Sequence, residues 1–419
     1  MRRLGIIGVA LVTASLLGIV LLVGVARWLS PDENAAFIAL WGVLFAGGSA
    51  LSLVEQETAR QSTRADAEGK ATPISVAQLA LVALGLSWLL LMVMGFTPAG
   101  SALFASAGSQ GGQRISTVGI MALAYLGFVA QFSVRGLALG RRQEGIYAAI
   151  LVAEPVWRLL GLLPFVLWAA DPSPLWALLA TAAGSYGWVV AWRRVRLRPF
   201  EPNSSESWGR VTGRVVLLGA ANGLLAALLT GYPALVTVMV GSSQGLAVFF
   251  AVVTLCRIPL VLLAPVQALV IPETTRILAA GRARSLFGLL GKVLAATLGV
   301  AIVSAVAGWA LGPWAVRLLF GSSYVAPGWL VALILASTVV LGAALLQAAV
   351  FVSLERYLSS VLTWGATLAG TVVALLVTPG DALARGTAGF VVASVLGYVI
   401  SGLLLRLALG RVAGRSGGE

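Results

Sequence analysis

The sequence predicts an all-α polytopic membrane protein with about twelve transmembrane helices arranged as two six-helix halves. Three observations carry this expectation. Of the 419 residues, 59% are hydrophobic and only 10% are charged, whereas an ordinary soluble domain carries about 25% charged residues; the main solvent must therefore be lipid. Mean hydropathy is +0.98, and at about 20 apolar residues per crossing the length holds roughly ten to fourteen helices, with no room for a sizeable soluble domain. The basic residues also alternate in density between successive connections, as a polytopic chain requires.

Apolar runs punctuated by charges or by Pro and Gly mark the spans in order. The first, Leu4 to Leu29, follows Arg2 and Arg3 as a signal peptide would, but it is too long without charge and lacks a small-residue cleavage pattern, so it reads as a retained helix. The second runs from Ala35 to Val54, and the third from Ser75 to Phe96 ends at the Gly/Ser-rich stretch Thr97 to Ser116. The fourth, Thr117 to Leu139, closes on Arg135, Arg141 and Arg142, and the fifth, Tyr147 to Ala169, carries Glu154 and Arg158. The sixth, Pro174 to Trp192, meets the most basic connection, Arg193 to Arg214. The seventh, Val215 to Val240, contains Gly231-Tyr232-Pro233, which predicts a bend, and the eighth, Gly245 to Pro272, contains Pro259, Pro265 and Pro272. The ninth is Leu289 to Leu311, followed by Trp314 to Phe320, which reads as a short amphipathic helix at the outer interface. Trp329 to Leu354, Tyr357 to Val377 and Gly386 to Leu409 complete the set.

The basic residues orient this arrangement. With both termini in the cytoplasm, 22 of the 28 Lys and Arg lie on the inner side, and only Arg27, Arg114, Arg317 and Arg385 lie outside. Arg158 and Arg257 remain within the membrane. The net charge of +13 then reads as complementarity to anionic lipid on the cytoplasmic side, and no nucleic-acid partner is implied. Residues 1–198 form the expected N-terminal half, 199–214 a basic linker and 215–419 the C-terminal half. A short repeat agrees with this division, since Glu57-Thr58-Ala59-Arg60 near the end of the second span is echoed by Glu273-Thr274-Thr275-Arg276 after the eighth.

The chain has no His and a single Cys, Cys256, which removes disulfides, zinc sites and His-based catalysis from consideration. No cofactor or metal is implied. Function must lie in the ionisable groups placed where lipid should be, because each costs about 2.5 to 3.5 kcal/mol to insert. Glu154 and Arg158 share one face of the fifth span with the favoured order for an ion pair; they are either a self-neutralising structural pair or part of a cavity that offers Arg158 to an anion and Glu154 to a proton or cation. Arg257 has no acid on its own helix and must face water, a carboxylate from elsewhere or a substrate anion. Arg135 is a candidate for the entry to such a site. Gln131, Asn222, Gln267 and Gln347 are polar at depth, as cavity groups or as interhelical hydrogen-bond partners. Pro233, Pro259 and Pro265 are candidate hinges.

Arg135-Gly136-Leu137-Ala138-Leu139-Gly140, the six-plus-six layout, and the eighth-span sequences Gly245-Leu246-Ala247-Val248-Phe249-Phe250, Cys256-Arg257-Ile258-Pro259 and Ile271-Pro272-Glu273 resemble the multidrug/oligosaccharidyl-lipid/polysaccharide (MOP) exporter superfamily, in its Wzx-type polysaccharide flippase branch. The resemblance covers nearly the whole chain. It implies a MATE-like fold and an alternating-access transporter, not an enzyme. It further implies that a polyprenyl-pyrophosphate-linked oligosaccharide crosses a bacterial cytoplasmic membrane for surface polysaccharide synthesis. The implied partners are that glycan substrate, membrane lipids, and the polysaccharide polymerase or glycosyltransferases of the same process. Two rivals remain open at this point. A cation-coupled multidrug antiporter of the same superfamily would need an embedded acid, yet Asp32, Asp66, Asp171 and Asp381 all fall in expected connections. A polytopic glycosyltransferase or polymerase would need a larger outer loop than this chain supplies.

Overall fold

The computed structural model describes residues 2–67, 75–97, 100, 103–104, 111–168, 171–194, 207–241, 244–260, 274, 277, 283–354 and 356–415. Among these residues the secondary structure is helical throughout. Ten helices are long and apolar enough to cross a membrane, and a shorter apolar helix covers Gly245–Leu260. The chain divides into two compact units, Met1–Val238 and Met239–Glu419.

The first unit contains α1 (Arg2–Trp28), α2 (Pro31–Leu51), α3 (Leu53–Ala67), α4 (Ser75–Phe96), α5 (Gly111–Gly140), α6 (Glu144–Trp168), α7 (Pro174–Ala183), α8 (Trp208–Leu229) and most of α9 (Tyr232–Val240). The start of α2 is set by a complete capping box: Ser30 accepts from the Glu33 amide and Glu33 Oε2 accepts from the Ser30 amide at 3.0 Å, with Pro31 at the first turn. The second span continues past its expected end at Val54. A break at Ser52, whose hydroxyl donates to the Ser49 carbonyl at 2.7 Å, separates α2 from α3, which carries Glu55 and Glu57 in helical register. α3 lies along α5. Gly136 permits this approach, since a Cβ there would sit 2.7 Å from both the Glu55 carbonyl oxygen and Thr58 Cβ. The core of the unit is built from α2, α4 and α5 around Leu40, Leu44, Leu79, Tyr125 and Phe128.

The sixth span does not remain α-helical to Trp192 as expected. It turns to 3-10 geometry at Gly184–Val190 and again at Trp192–Arg194. The 3-10 stretch packs on α6, where a Cβ on Gly187 would stand 2.9 Å from the Glu154 nitrogen. The bend expected at Gly231-Tyr232-Pro233 is present as the gap between α8 and α9, with the Thr230 and Gly231 amides both donating to the Ala226 carbonyl, at 2.8 and 2.9 Å. Pro233 stands in the first turn of α9, where a missing N–H costs no ladder bond.

The second unit comprises α10 (Gln244–Cys256), α11 (Ala283–Phe320), α12 (Gly328–Ser353), α13 (Tyr357–Val377) and α14 (Ala382–Arg415). α12 packs on α11 and α14, and α13 packs on α14. Trp314 to Phe320 is not a separate interfacial helix: α11 runs unbroken through Pro313 to Phe320. Its far end continues to pack on α12 through Gly312, whose Cβ position is filled by Val331, so this segment joins a helix pair.

Replacing Gly136 with Val should lower the apparent melting temperature in detergent by an amount equivalent to about 1 to 3 kcal/mol, the usual cost of forcing atoms into a filled contact. Gly85→Ala, where nothing lies within 4 Å of a new Cβ, should leave it unchanged or raise it. Equal effects at the two positions would show that the α3–α5 approach does not depend on Gly136.

Candidate functional site

Two arginines of the first unit, Arg135 and Arg158, meet at Glu154. Pro155 follows it directly on α6 and supplies no N–H, so the Leu151 carbonyl receives no ladder bond from that position. Glu154 Oε1 is paired with Arg158 Nη2 one turn further along. Glu154 Oε2 accepts from Gln131 Nε2 of α5 at 2.5 Å and lies 3.7 Å from Arg135 Nη1, also of α5. Arg135 in turn reaches α3, with Nη2 3.0 Å from Glu55 Oε2. Tyr147 of α6 donates to Glu55 Oε1 at 2.8 Å and accepts from Arg135 Nη2 at 3.3 Å. The order Glu55, Arg135, Glu154, Arg158 is an alternating row of two acids and two bases, with no net charge.

Aromatic rings and close backbone hold both guanidinium groups. Arg158 lies over the Phe45 ring at 4.6 Å, and Arg135 over Phe132 and Tyr147 at 5.4 and 5.2 Å. Gly184 of the 3-10 stretch leaves room for the Arg158 stem. Arg158 is 7% exposed and Arg135 9%. The pairing is nevertheless incomplete: Arg135 Nε, Arg158 Nε and Gln131 Oε1 are buried without a hydrogen-bond partner. Two donors and one acceptor of the row therefore keep unused hydrogen-bonding capacity.

The other expected residues are placed elsewhere. Asn222 of α8 donates from Nδ2 to Ser52 Oγ at 3.4 Å, at the break between α2 and α3. Gln347 of α12 is hydrogen-bonded by Ser401 of α14, an interhelical bond within the second unit. Arg257 stands in a turn immediately after α10, two residues before Pro259, and its Nη2 is buried with no hydrogen-bond partner. Among the described residues no carboxylate forms a salt bridge with it. Gln267 and Pro265 lie outside the described residues. Glu55 and Tyr147 complete the charged row: Tyr147 carries no signal in an apolar run, and Glu55, one of the charges at the end of the second span, meets Arg135 from 80 residues away.

A cavity of about 750 Å³ also lies in the first unit, bounded by α2, α4, α8 and α9. Its walls include Ala46, Ala50, Leu90, Gly219, Gly223 and Leu235, and are almost wholly apolar. Tyr125 is one of its few polar residues, and its hydroxyl is already committed to the Val43 carbonyl at 3.1 Å. The charged row does not line it.

Solved transporters share this architecture. A multidrug resistance MATE family transporter of the MOP superfamily, in an inward-facing conformation, superposes with a TM-score of 0.69 at 17% identity, covering 94% of each chain. The chain has the fold of the MATE transporters of the MOP superfamily. Its ten long apolar helices are those of a multi-pass membrane protein. A second MOP superfamily transporter, from Pyrococcus furiosus and described by a reversed polarity of its binding pocket that suggests a different function, gives a TM-score of 0.66 at 15% identity over 98% of this chain and 96% of that one. No family model matches the chain. In sequence it is 28% identical over 394 residues to the uncharacterized protein Rv3630 of Mycobacterium tuberculosis, covering 88% of this chain and 84% of the relative. It is 28% identical over 372 residues to the uncharacterized protein Rv1510 of the same organism, covering 84% and 80%.

Breaking the row at one member should cost more than removing a matched pair, because a lone buried charge loses its compensation. Glu154→Leu should lower stability by about 3 kcal/mol or more, read as an apparent melting temperature in detergent. Glu154→Leu with Arg158→Met should recover a substantial part of that loss. A double variant no more stable than the single one would mean that the two residues are not energetically paired.

Proposed function

We propose that this protein is an alternating-access flippase. It carries an anionic glycolipid, a polyprenyl-pyrophosphate-linked oligosaccharide or a close chemical relative, across the bacterial cytoplasmic membrane for cell-surface polysaccharide biosynthesis. The single observation that carries the reading is Arg257, a membrane-embedded guanidinium with a buried, unpartnered Nη2 and no acidic partner among the described residues. An arginine in that state favours an anion, and a pyrophosphate supplies oxygen acceptors in the geometry its N–H groups require. The row in the first unit supports the same sign. Both of its carboxylates are already held by arginine, while two guanidinium Nε–H groups remain unused. The reversed pocket polarity in the name of the Pyrococcus furiosus structure is a precedent for this fold with a changed pocket charge.

The multidrug antiporter is the second reading, favoured by the name of the first solved neighbour. Its difficulty is electrostatic. A cationic compound would have to displace arginine from Glu154 or Glu55 and then face that arginine at close range.

The two readings separate in proteoliposomes. A fluorescent polyprenyl-pyrophosphate oligosaccharide should change leaflet with the native chain, and Arg257→Ala should slow this by at least tenfold while the variant still inserts and folds. Gradient-driven efflux of a cationic dye, with no movement of several lipid-linked sugars, would establish the antiporter instead.

A further inference from the structure

Gln131 has an unusual position for a buried amide. Its Nε2 donates to Glu154 Oε2 at 2.5 Å, while its Oε1 is buried and has no partner. Gln131 is 0% exposed, so water in bulk cannot satisfy that oxygen. A carboxylate has no hydrogen to offer it. A carboxylic acid does: protonated on Oε1, Glu154 can donate to Gln131 Oε1 while Oε2 continues to accept from Nε2, the cyclic pair that acids and amides form. The amide is therefore matched to the neutral acid at least as well as to the ion. Arg158 is the partner that the neutral acid would release, since it holds Oε1 in the present arrangement.

We propose that Glu154 and the anionic head group compete for the guanidinium of Arg158, so that the anion and one proton are bound together, the proton on Glu154 and held by Gln131. This rests on the reading of the substrate as an anion and gives that site its coupling rule. The proton comes from solvent, and no covalent bond is made or broken. Released Arg158 adds its Nη2 to the Nε–H groups of Arg158 and Arg135 that already lack a partner, so three guanidinium N–H groups of the row are left for an anion. Arg135 remains in place throughout, fixed by Glu55 Oε2 at 3.0 Å and by Tyr147.

The surroundings of Glu154 leave the competition to these groups. α5 contributes Gln131 and Arg135, and α3 contributes Glu55 behind Arg135. α6 itself contributes Arg158 and Tyr147. α1 meets α6 through apolar residues such as Ile7 and Ala10, and α7 has no ionisable side chain. The 3-10 stretch brings Tyr186, whose hydroxyl is committed to the Leu123 carbonyl at 2.8 Å, and α2 brings the Phe45 ring. The sign of the coupling is the point of the proposal. A cationic substrate and a proton would exclude each other at a carboxylate. An anion and a proton reinforce each other, and by linkage each must strengthen the binding of the other by the same factor.

The test uses the purified full-length chain and uridine diphosphate glucose, a water-soluble sugar pyrophosphate diester that stays a dianion between pH 5 and 8. Titration calorimetry in buffers of different ionisation enthalpy reads protons taken up on binding. The native chain should take up close to one proton per ligand near pH 8, with affinity falling about tenfold per pH unit as pH rises through that range. Glu154→Gln should bind without proton uptake and with no pH dependence, and Gln131→Leu should weaken binding at pH 8. Binding with no proton change, or with proton release, would overturn the coupling while leaving an anion carrier intact. No binding by the native chain or by Glu154→Gln at any pH would overturn both. The native-chain measurement decides the matter even if a variant fails to fold.

Discussion

A charge inside the bilayer must find compensation, and the first unit is arranged around meeting that constraint at Glu154. A lone arginine or glutamate at such a depth is costly to insert. The chain offsets the cost through contacts from three helices and a 3-10 stretch. α6 supplies Glu154 and Arg158, α5 supplies Gln131 and Arg135, and α3 supplies Glu55. The backbone features of the unit serve the same row. Gly136 brings α3 close enough for Glu55 to reach Arg135, and Gly184 and Gly187 let the sixth segment lie directly against the turn that carries Glu154 and Arg158. Stability and candidate chemistry thus share the same atoms, and a row built only for stability would leave fewer of its buried donors unused.

The second unit presents the converse case. Its polar side chains are largely absorbed by their own helices: Thr363, Thr367 and Thr371 each donate to the carbonyl four residues earlier, at 2.8, 2.7 and 2.7 Å. Ser401 of α14 donates to Gln347 Oε1 of α12. Against that background Arg257 stands out, because its Nη2 is buried without a hydrogen-bond partner and no carboxylate among the described residues forms a salt bridge with it. It is the single turn residue between Cys256 and Ile258, where its amide reaches the Thr254 carbonyl at 3.4 Å and the helical pattern is locally interrupted. Irregular backbone at membrane depth is tolerated where it faces protein or a water-filled space.

Most of the helix pattern was legible in the sequence because lipid leaves so strong a compositional signature. Ser75–Phe96 and Tyr357–Val377 coincide with their expected spans at both ends. The deviations have local causes that hydropathy does not encode. The Ser52 break separates an apolar helix from the polar one that follows it, and the 3-10 turn after Ala183 accompanies the close approach of glycines to α6. The site was legible only where it is local. Glu154 and Arg158 are four residues apart and could be paired from spacing alone, whereas Arg135 and Glu55 are 80 apart and are brought together by the packing of α3 on α5. Tyr147 carries no signal of its own, since one tyrosine in an apolar run reads as packing. The Gln131 amide was visible as a polar group at depth, but its unequal use of donor and acceptor emerges only with Glu154 beside it.

The central claim is that the embedded arginines exist to hold an anionic head group, with Arg158 exchanging Glu154 for phosphate. A structure of the protein bound to a pyrophosphate-linked isoprenoid sugar tests this most directly. The account predicts phosphate oxygens within hydrogen-bond distance of the Arg158 guanidinium, with Glu154 turned toward Gln131. A bound head group far from both Arg158 and Arg257, with the Glu154–Arg158 pair intact, would contradict it.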